Sequence, residues 1–114
     1  MKNPERGEVW LTQFDPSVGS EIRKLRPGVI LSRSKVGNLP LRFVVPLTDW
    51  KPHYEALEWF MEVLPTTSNG LNKPSAADAF QCKSLAVERF VRKLGHLTEE
   101  QLEDIAARVN FCIT

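Results

Sequence analysis

Residues 26–32 read Arg-Pro-Gly-Val-Ile-Leu-Ser, and this apolar run determines the fold of the first half of the chain. A polar loop at 15–26 separates it from an earlier apolar run at 8–14. Another run, Val-Val-Pro-Leu-Thr at 44–48, ends in a hydroxyl. Short apolar runs between turn residues predict β-strands. A loop of about a dozen residues is long for a compact domain, so we expect functional residues there.

The length and composition restrict the classes of protein to which this chain can belong. The chain has 114 residues, of which 42% are hydrophobic and 25% are charged, so we expect one globular domain over residues 1–114. No apolar run approaches the roughly 20 residues that cross a bilayer, and the first residues lack the apolar core of a signal peptide. We therefore expect a cytoplasmic protein without membrane contact.

The two cysteines, Cys82 and Cys112, form no Cys-x-x-Cys pair, and neither His53 nor His96 stands at metal-ligand spacing from them. Two reduced, largely buried thiols and no metal site are the expectation.

Charge is unevenly distributed, although the formal net charge is only +1. Acids gather near the carboxyl end, at 99–104. Between residues 22 and 42 there is no acid and there are six cations, Arg23, Lys24, Arg26, Arg33, Lys35 and Arg42. This stretch fits a local anion-binding face and equally fits a solvated basic edge strand.

The remaining pattern predicts further strands at 28–33, 42–48, 57–64 and 77–84, with weaker strand character over 89–94. Within 57–64, alternate apolar residues face one way, namely Leu57, Trp59, Met61 and Val63. Together with the strand at 8–14, these elements predict a small, strongly bent antiparallel sheet or barrel.

A C-terminal helix is the best-determined element. Thr98 and Gln101 make a capping box, and Leu97 with Leu102 forms a hydrophobic staple around it. Apolar residues then recur at helical spacing over about four turns, at Leu102, Ile105, Ala106, Val109, Cys112 and Ile113. The fold class is therefore α+β and mostly β.

The polar loop and its neighbours supply the groups that metal-free RNA cleavage needs. The 2′-hydroxyl of RNA can act as nucleophile, given a proton acceptor, a proton donor and cations for the charged phosphorane. Arg26 offers a planar fork to phosphate oxygens, Thr48 offers a hydroxyl, and Glu21 is the nearest carboxylate and the candidate base. The Gly19-Ser20 backbone can bring N–H donors to an anion.

Each of these residues also has a structural explanation. Arg26 can pair with an acid at a strand edge, Thr48 is a strong β-former, and Glu21 can simply be solvated. The spacing of these residues indicates a catalytic site only when it is read together with the order of the motifs along the chain.

That order resembles the MazF/PemK toxins, small ribonucleases of bacterial type II toxin–antitoxin modules. The similarity covers nearly the whole chain, through Arg-Gly-acid-Val-aromatic at 6–10, Asp-Pro-x-x-Gly-Ser-Glu at 15–21, Arg-Pro at 26–27, Pro-Leu-Thr at 46–48, Ala-Phe-Gln-Cys-Lys-Ser-Leu at 79–85 and Arg-Lys-Leu-Gly-His-Leu at 92–97.

The resemblance implies a small SH3-like barrel of the CcdB/MazF type, acting as a homodimer. It implies cleavage of single-stranded RNA at short sequences, without metal or cofactor, leaving a 2′,3′-cyclic phosphate. A MazE-like antitoxin would block the groove. Arg26 and Thr48 take the places of the family's catalytic arginine and threonine, and Glu21 lies in the loop that gates the RNA groove.

The chain departs from the family at one later segment, which commonly reads Asp-Gln-apolar-Arg-Ser. Phe80 here replaces the acid and Lys83 the arginine, which removes the bidentate fork. Gln81 keeps the capacity to hydrogen-bond a base edge. Gln81 and Lys83 thus remain expected to bind RNA. The full set of residues expected to bind RNA is Gly19, Ser20, Arg23, Lys24, Trp50, Gln81 and Lys83.

Trp50 opens an aromatic loop at 50–54 that follows Thr48 closely. Its ring can stack an unpaired base, worth roughly 1–3 kcal/mol, or it can plug the end of the barrel. His53 is the usual type of acid–base residue in ribonucleases, but the family requires none here.

Two other functions stay open. CcdB-like toxins use a similar barrel to poison DNA gyrase by binding alone, and a catalytically silent barrel can bind RNA or a peptide. The pair of Arg26 and Thr48 favours the nuclease, because a pure binder has no need of it.

Overall fold

Seven β-strands and one α-helix form in the computed structural model, which describes residues 2–34 and 38–114. Lys35, one of the six cations above, lies outside the described residues. The elements are β1 (Glu8–Gln13), β2 (Leu25–Ile30), β3 (Leu41–Asp49), β4 (Phe60–Val63), β5 (Ser75–Asp78), β6 (Lys83–Ala86), β7 (Phe90–His96) and α1 (Glu99–Ile113). Short 3₁₀ turns occupy Pro52–Ala56, Ala79–Gln81 and Val87–Arg89.

The strands form one bent antiparallel sheet in the order β4-β5-β3-β2-β1-β7. Strand β3 is the axis of this sheet, since β2 pairs along one of its edges while β6 and then β5 pair along the other. The expected mostly-β class with a C-terminal helix is confirmed. The sheet is not closed into a barrel, because within the described residues the strands at its two ends, β4 and β7, do not pair with each other.

Three of the predicted strands differ from the structure by an interruption or by a shift of three residues, and the other boundaries agree to within two residues. The predicted strand at 77–84 is two strands, β5 and β6, interrupted by the turn Ala79–Gln81. The predicted strand at 28–33 begins earlier and ends earlier, at Leu25–Ile30, because Leu25 and Arg26 pair with β1 despite the proline that follows. The predicted strand at 57–64 shortens to Phe60–Val63, since the chain is still turning at residues 57–59.

The core lies on both sides of the sheet, since β1, β2 and β3 send alternate residues to opposite faces. One face carries Val9, Val29 and Val45 against helix α1, and the other carries Trp10 and Ile30 with Phe14 and Phe90. Burying each such side chain contributes roughly 1.5–3 kcal/mol. The strands that carry the polar residues described below are therefore held by core packing on both faces of the sheet.

Helix α1 closes the first face of the sheet. Both predicted hydrogen bonds of its capping box are present, from Gln101 N–H to the Thr98 hydroxyl and from Thr98 N–H to the Gln101 side chain. Leu102 and Ile105 are buried, but Ile113, expected in the apolar stripe, is 77% exposed. Within the described part of the chain, no helix combines the length and apolar character needed to cross a bilayer.

A tight turn before β5 approaches β7 closely. Asn69 is buried in this turn, where its side-chain oxygen accepts the N–H groups of Thr66 and Leu71. Gly70 follows with a φ of +70°, and a Cβ built there would overlap the Leu94 carbonyl oxygen. Only glycine satisfies both the left-handed backbone and the close approach.

Replacing Gly70 by alanine should therefore destabilise the protein more than the same change at Gly19. Gly19 also has a positive φ, of +60°, but has open space around its Cα. We expect Gly19→Ala to cost about 1–2 kcal/mol and Gly70→Ala about 1–3 kcal/mol more, through the overlap. Urea unfolding of both variants measures the difference, and equal costs would contradict this description of the turn.

Candidate functional site

Arg26 and Thr48 line the same cavity, at the point where β2 and β3 stop pairing with each other. The pairs between β2 and β3 run from Ile30↔Val44 to Gly28↔Pro46, and two further residues along the same antiparallel register bring Arg26 to the level of Thr48. Beyond Pro46, β3 continues beside β5 while β2 continues beside β1. The two strands thus separate where these polar side chains stand.

A cavity of about 330 Å³ opens at this separation, and both Arg26 and Thr48 line it. Its apolar floor includes Leu11, Leu47 and Leu94. Its polar lining has three cations, two hydroxyls, one amide and one carboxylate, from Arg26, Lys73, Arg92, Thr48, Ser75, Asn72 and Asp49. Three cations against one carboxylate favour an anionic ligand.

Asp49 is the carboxylate of this cavity and pairs with Lys73 at 2.8 Å. The hydrogen bond from Lys73 lowers the pKa of Asp49, and the positive charges of Lys73, Arg26 and Lys51 act in the same direction. Both partners are more than half exposed, so the pair contributes little to stability. An incoming anion can therefore compete with Asp49 for Lys73 at small cost.

The guanidinium of Arg26 is fixed at one nitrogen. Its Nε donates to the Arg23 carbonyl oxygen at 3.1 Å. Among the described residues the two terminal nitrogens make no hydrogen bond to the protein, so they remain as donors for a ligand. A planar pair of N–H groups suits two oxygens of one phosphate.

Glu21 does not join this cavity. Its Oε1 accepts the Val18 N–H at 2.7 Å within the loop between β1 and β2, and the side chain is exposed. The preceding residues Gly19 and Ser20 are exposed as well, and neither lines the cavity. The predicted roles of Glu21, Gly19 and Ser20 at a phosphate stay predictions.

Gln81 contacts the same loop from the turn after β5. Its Oε1 accepts the Ile22 N–H at 2.6 Å, and its Nε2 donates to Asp78 Oδ2 at 3.0 Å and to the Ser20 carbonyl at 3.4 Å. These contacts use the amide within the protein. The expectation that Gln81 reads a base edge stays a prediction.

The other residues expected to bind RNA are dispersed. Arg23 donates to the Gly19 carbonyl at 3.0 Å, and Lys24 is exposed with a φ of 68°. Trp50 is half-buried in edge contact with Tyr54, whose ring stacks on Phe60 at 3.8 Å. Lys83 is half-buried on β6 opposite Val44. None of these four lines the cavity.

The basic stretch at 22–42 therefore does not form one face. Arg42 is only 8% exposed, and its guanidinium donates to the carbonyls of Pro4, Leu39 and Leu41. It tethers the N-terminal segment to β3. Arg33 lines a different, apolar cavity.

Sequence reasoning did not identify Lys73, Arg92, Asp49 or Asp78 as site residues. Arg92 lies on β7 and Lys73 in the turn before β5, so only the tertiary fold brings them to Arg26. Asp78 is buried, and the cost of desolvation raises the pKa of its carboxyl. The available signal in the sequence was an acid three positions before Gln81, since an acid that is buried needs hydrogen-bond donors nearby.

The two cysteines lie outside this cavity. Cys82 and Cys112 are free and half-buried, and burial raises the pKa of both thiols. Among residues 2–34 and 38–114, no three His, Cys, Asp or Glu side chains come together as metal ligands would.

Residues 5–113 match the family model of the PemK-like, MazF-like toxins of type II toxin–antitoxin systems. The chain belongs to this family. It is 31% identical over 106 residues to Endoribonuclease MazF9 of Mycobacterium tuberculosis, covering 88% of this chain and 87% of that protein. It is 33% identical over 112 residues to Endoribonuclease toxin MazF of Escherichia coli K12, covering 96% and 94% respectively.

Solved structures of the same family share the fold. MazF of Deinococcus radiodurans superposes with a TM-score of 0.81 at 21% identity, over 99% of this toxin and 98% of that chain. A MazE–MazF complex of the same organism gives a TM-score of 0.72 at 23% identity, over 98% and 97%. In this chain, the PemK/MazF fold places Arg26 and Thr48 in the lining of one cavity.

Proposed function

We propose that this toxin is an endoribonuclease that cleaves single-stranded RNA in the cavity between β2 and β3. The observation that carries the proposal is that Arg26 and Thr48 line one cavity together with two more cations, Lys73 and Arg92. The relatives of M. tuberculosis and E. coli that carry the name endoribonuclease support it.

The proposed reaction uses the 2′-hydroxyl of the substrate. Its oxygen attacks the adjacent phosphorus while its proton passes to a base, and the bond from phosphorus to the 5′-oxygen breaks as that oxygen gains a proton. The products are a 2′,3′-cyclic phosphate and a 5′-hydroxyl. The terminal nitrogens of Arg26 neutralise the charged phosphorane, and the Thr48 hydroxyl donates to one of its oxygens.

Glu21 is the candidate for the base. Glu21 fulfils the role only if its carboxylate leaves the Val18 N–H and the loop carries it to the cavity. The donor set also favours a reaction without metal or cofactor, because one lining carboxylate beside three cations is unsuited to a divalent ion.

Removing the Arg26 guanidinium should abolish most of the activity. We expect Arg26→Ala to lower the cleavage rate of a long single-stranded RNA in EDTA by about 10²–10³-fold, as for loss of one donor to a transition-state oxyanion. Arg26→Lys keeps the charge but loses the fork and should retain an intermediate rate. An alanine variant that folds and cuts at the normal rate would contradict the assignment.

Thr48 should contribute through its hydroxyl alone. Thr48→Val preserves the shape and removes a hydrogen bond to a charged group, worth about 1.5–3 kcal/mol, so the rate should fall roughly 10- to 150-fold. Thr48→Ser is the matched control, because it keeps the hydroxyl. If the valine variant cuts RNA as fast as the serine variant, Thr48 has no role in the reaction.

As a type II toxin, the chain should bind a MazE-like antitoxin that covers this cavity, in the cytoplasm where both meet RNA. The MazE–MazF complex of D. radiodurans supports such pairing. We further propose that the toxin is a homodimer. An apolar cavity of about 520 Å³ between β3 and α1 supports this, because contiguous exposed apolar surface marks interfaces.

The proposed dimer face includes Leu41, Phe43 and Ile113, which are 40%, 55% and 77% exposed. Phe43→Glu would bury a charge there and should yield a monomer by light scattering. Phe80→Glu is the matched control, because Phe80 is 67% exposed elsewhere and should leave the dimer intact. Retention of the dimer in Phe43→Glu would disprove this face.

A further inference from the structure

We propose that Asp78 is a positioning residue that acts through Gln81 on the loop between β1 and β2, and so holds Arg26 toward the cavity. The link to catalysis depends on the proposed function, whereas the effect on the loop can be measured without RNA. A chain of hydrogen bonds from the end of β5 to the guanidinium carries the inference.

The chain of hydrogen bonds begins at the buried carboxylate of Asp78. Asp78 is 5% exposed and accepts hydrogen bonds from Phe80 N–H at 3.2 Å to Oδ1 and from Gln81 Nε2 at 3.0 Å to Oδ2, with the Gln81 backbone N–H as a further donor. Among the described residues no lysine or arginine pairs with it. An unpaired buried carboxylate is costly, so these hydrogen-bond donors are what stabilise it there.

Asp78 fixes the direction of the Gln81 amide. An ionised carboxylate only accepts, so the NH₂ group of Gln81 must face Asp78 and its oxygen must face away. That oxygen accepts the Ile22 N–H at 2.6 Å, and the NH₂ group also reaches the Ser20 carbonyl at 3.4 Å. Rotating the amide by half a turn would break all three contacts.

The loop connects the fixed Gln81 amide to Arg26. The Ile22 side chain packs against the core cluster of Trp10, Phe14 and Phe90. One residue on, the Arg23 carbonyl accepts Arg26 Nε at 3.1 Å, and the Lys24 carbonyl accepts the Phe14 N–H at 2.9 Å. The backbone that orients the guanidinium is thus anchored at Ile22 by Gln81 and at Lys24 by Phe14.

The donor and acceptor pattern allows a reciprocal test. Asp78→Asn leaves one acceptor oxygen for two donors, Phe80 N–H and the Gln81 NH₂ group. The new NH₂ group therefore faces one of these donors and cannot accept from it. In Gln81→Glu, two carboxylates face each other. In the double variant, the amide introduced at position 78 accepts from Phe80 N–H and donates to the carboxylate introduced at position 81. The second oxygen of that carboxylate accepts the Ile22 N–H, so complementarity is restored except at the Ser20 carbonyl.

Hydrogen exchange of the amides at 19–24 measures the loop directly, with α1 peptides as an internal control. We expect each single variant to exchange about 5- to 10-fold faster in this segment, as for loss of one buried hydrogen bond, and the double variant to return to within about threefold of the natural chain. Two single variants with unchanged exchange, or a double variant no slower than the faster single one, would overturn the proposal.

RNA cleavage by the same four proteins tests the link to Arg26. Both single variants should lose kcat about 5- to 10-fold with KM nearly unchanged, and the double variant should regain it. A structural role without positioning predicts altered exchange with normal kcat. If the natural chain cuts no RNA, the proposed function fails, and the exchange pattern still decides whether Asp78 holds the loop.

A further variant keeps the test independent of introduced charge. Gln81→Met has a similar shape and removes both amide contacts with the loop, so its 19–24 segment should exchange as fast as in the single variants. Thermal unfolding of each variant shows whether it is folded. A folded Gln81→Met protein with natural exchange would also overturn the proposal.

Discussion

The antiparallel register between β2 and β3 is the constraint on which the rest of the site depends. Because Gly28 pairs with Pro46, Arg26 and Thr48 stand at the same level although 22 positions separate them in the chain. A slip of one residue would turn every side chain of β2 to the opposite face. The buried pair Val29 and Val45 opposes such a slip, so the hydrophobic core keeps Arg26 and Thr48 at the same level of the sheet.

Beyond Pro46 the two strands separate to pair with different neighbours, and the gap between them becomes the cavity. Groups from β7 and from the turn before β5 complete its lining, so the site forms only when several strands of the sheet are in place. Its single carboxylate, Asp49, is neutralised by Lys73. The cavity therefore keeps a net positive charge for a phosphate.

Local patterns in the sequence predicted much of the fold. The capping box at Thr98 and Gln101 indicated the helix, and alternation indicated most strands, because both signals act over a few neighbouring residues. The break between β5 and β6 was missed because it depends on Asp78, whose buried side chain accepts the Phe80 N–H. Likewise, the predicted strand at 28–33 omitted residues 25–27, whose place in β2 depends on pairing with β1.

The candidate site was predictable only in part. Arg26 and Thr48 followed from motif order, and the structure brings them together. Arg92 and Lys73 were not predictable, since neither has a local signal for its place in a cavity formed by distant elements. The contacts of Gln81 and Glu21 within the loop depend on a backbone path that composition does not encode. The limits of one domain, 1–114, stay a prediction.

The most direct test of the central claim is cleavage of an RNA oligonucleotide carrying one 2′-deoxy nucleotide at the mapped cut. If Arg26 and Thr48 serve a reaction in which the substrate's own 2′-oxygen attacks, the natural oligonucleotide should be cut in EDTA to a 2′,3′-cyclic phosphate. The deoxy version should bind but stay intact at that position. Cleavage of the deoxy version at the same bond would contradict the account.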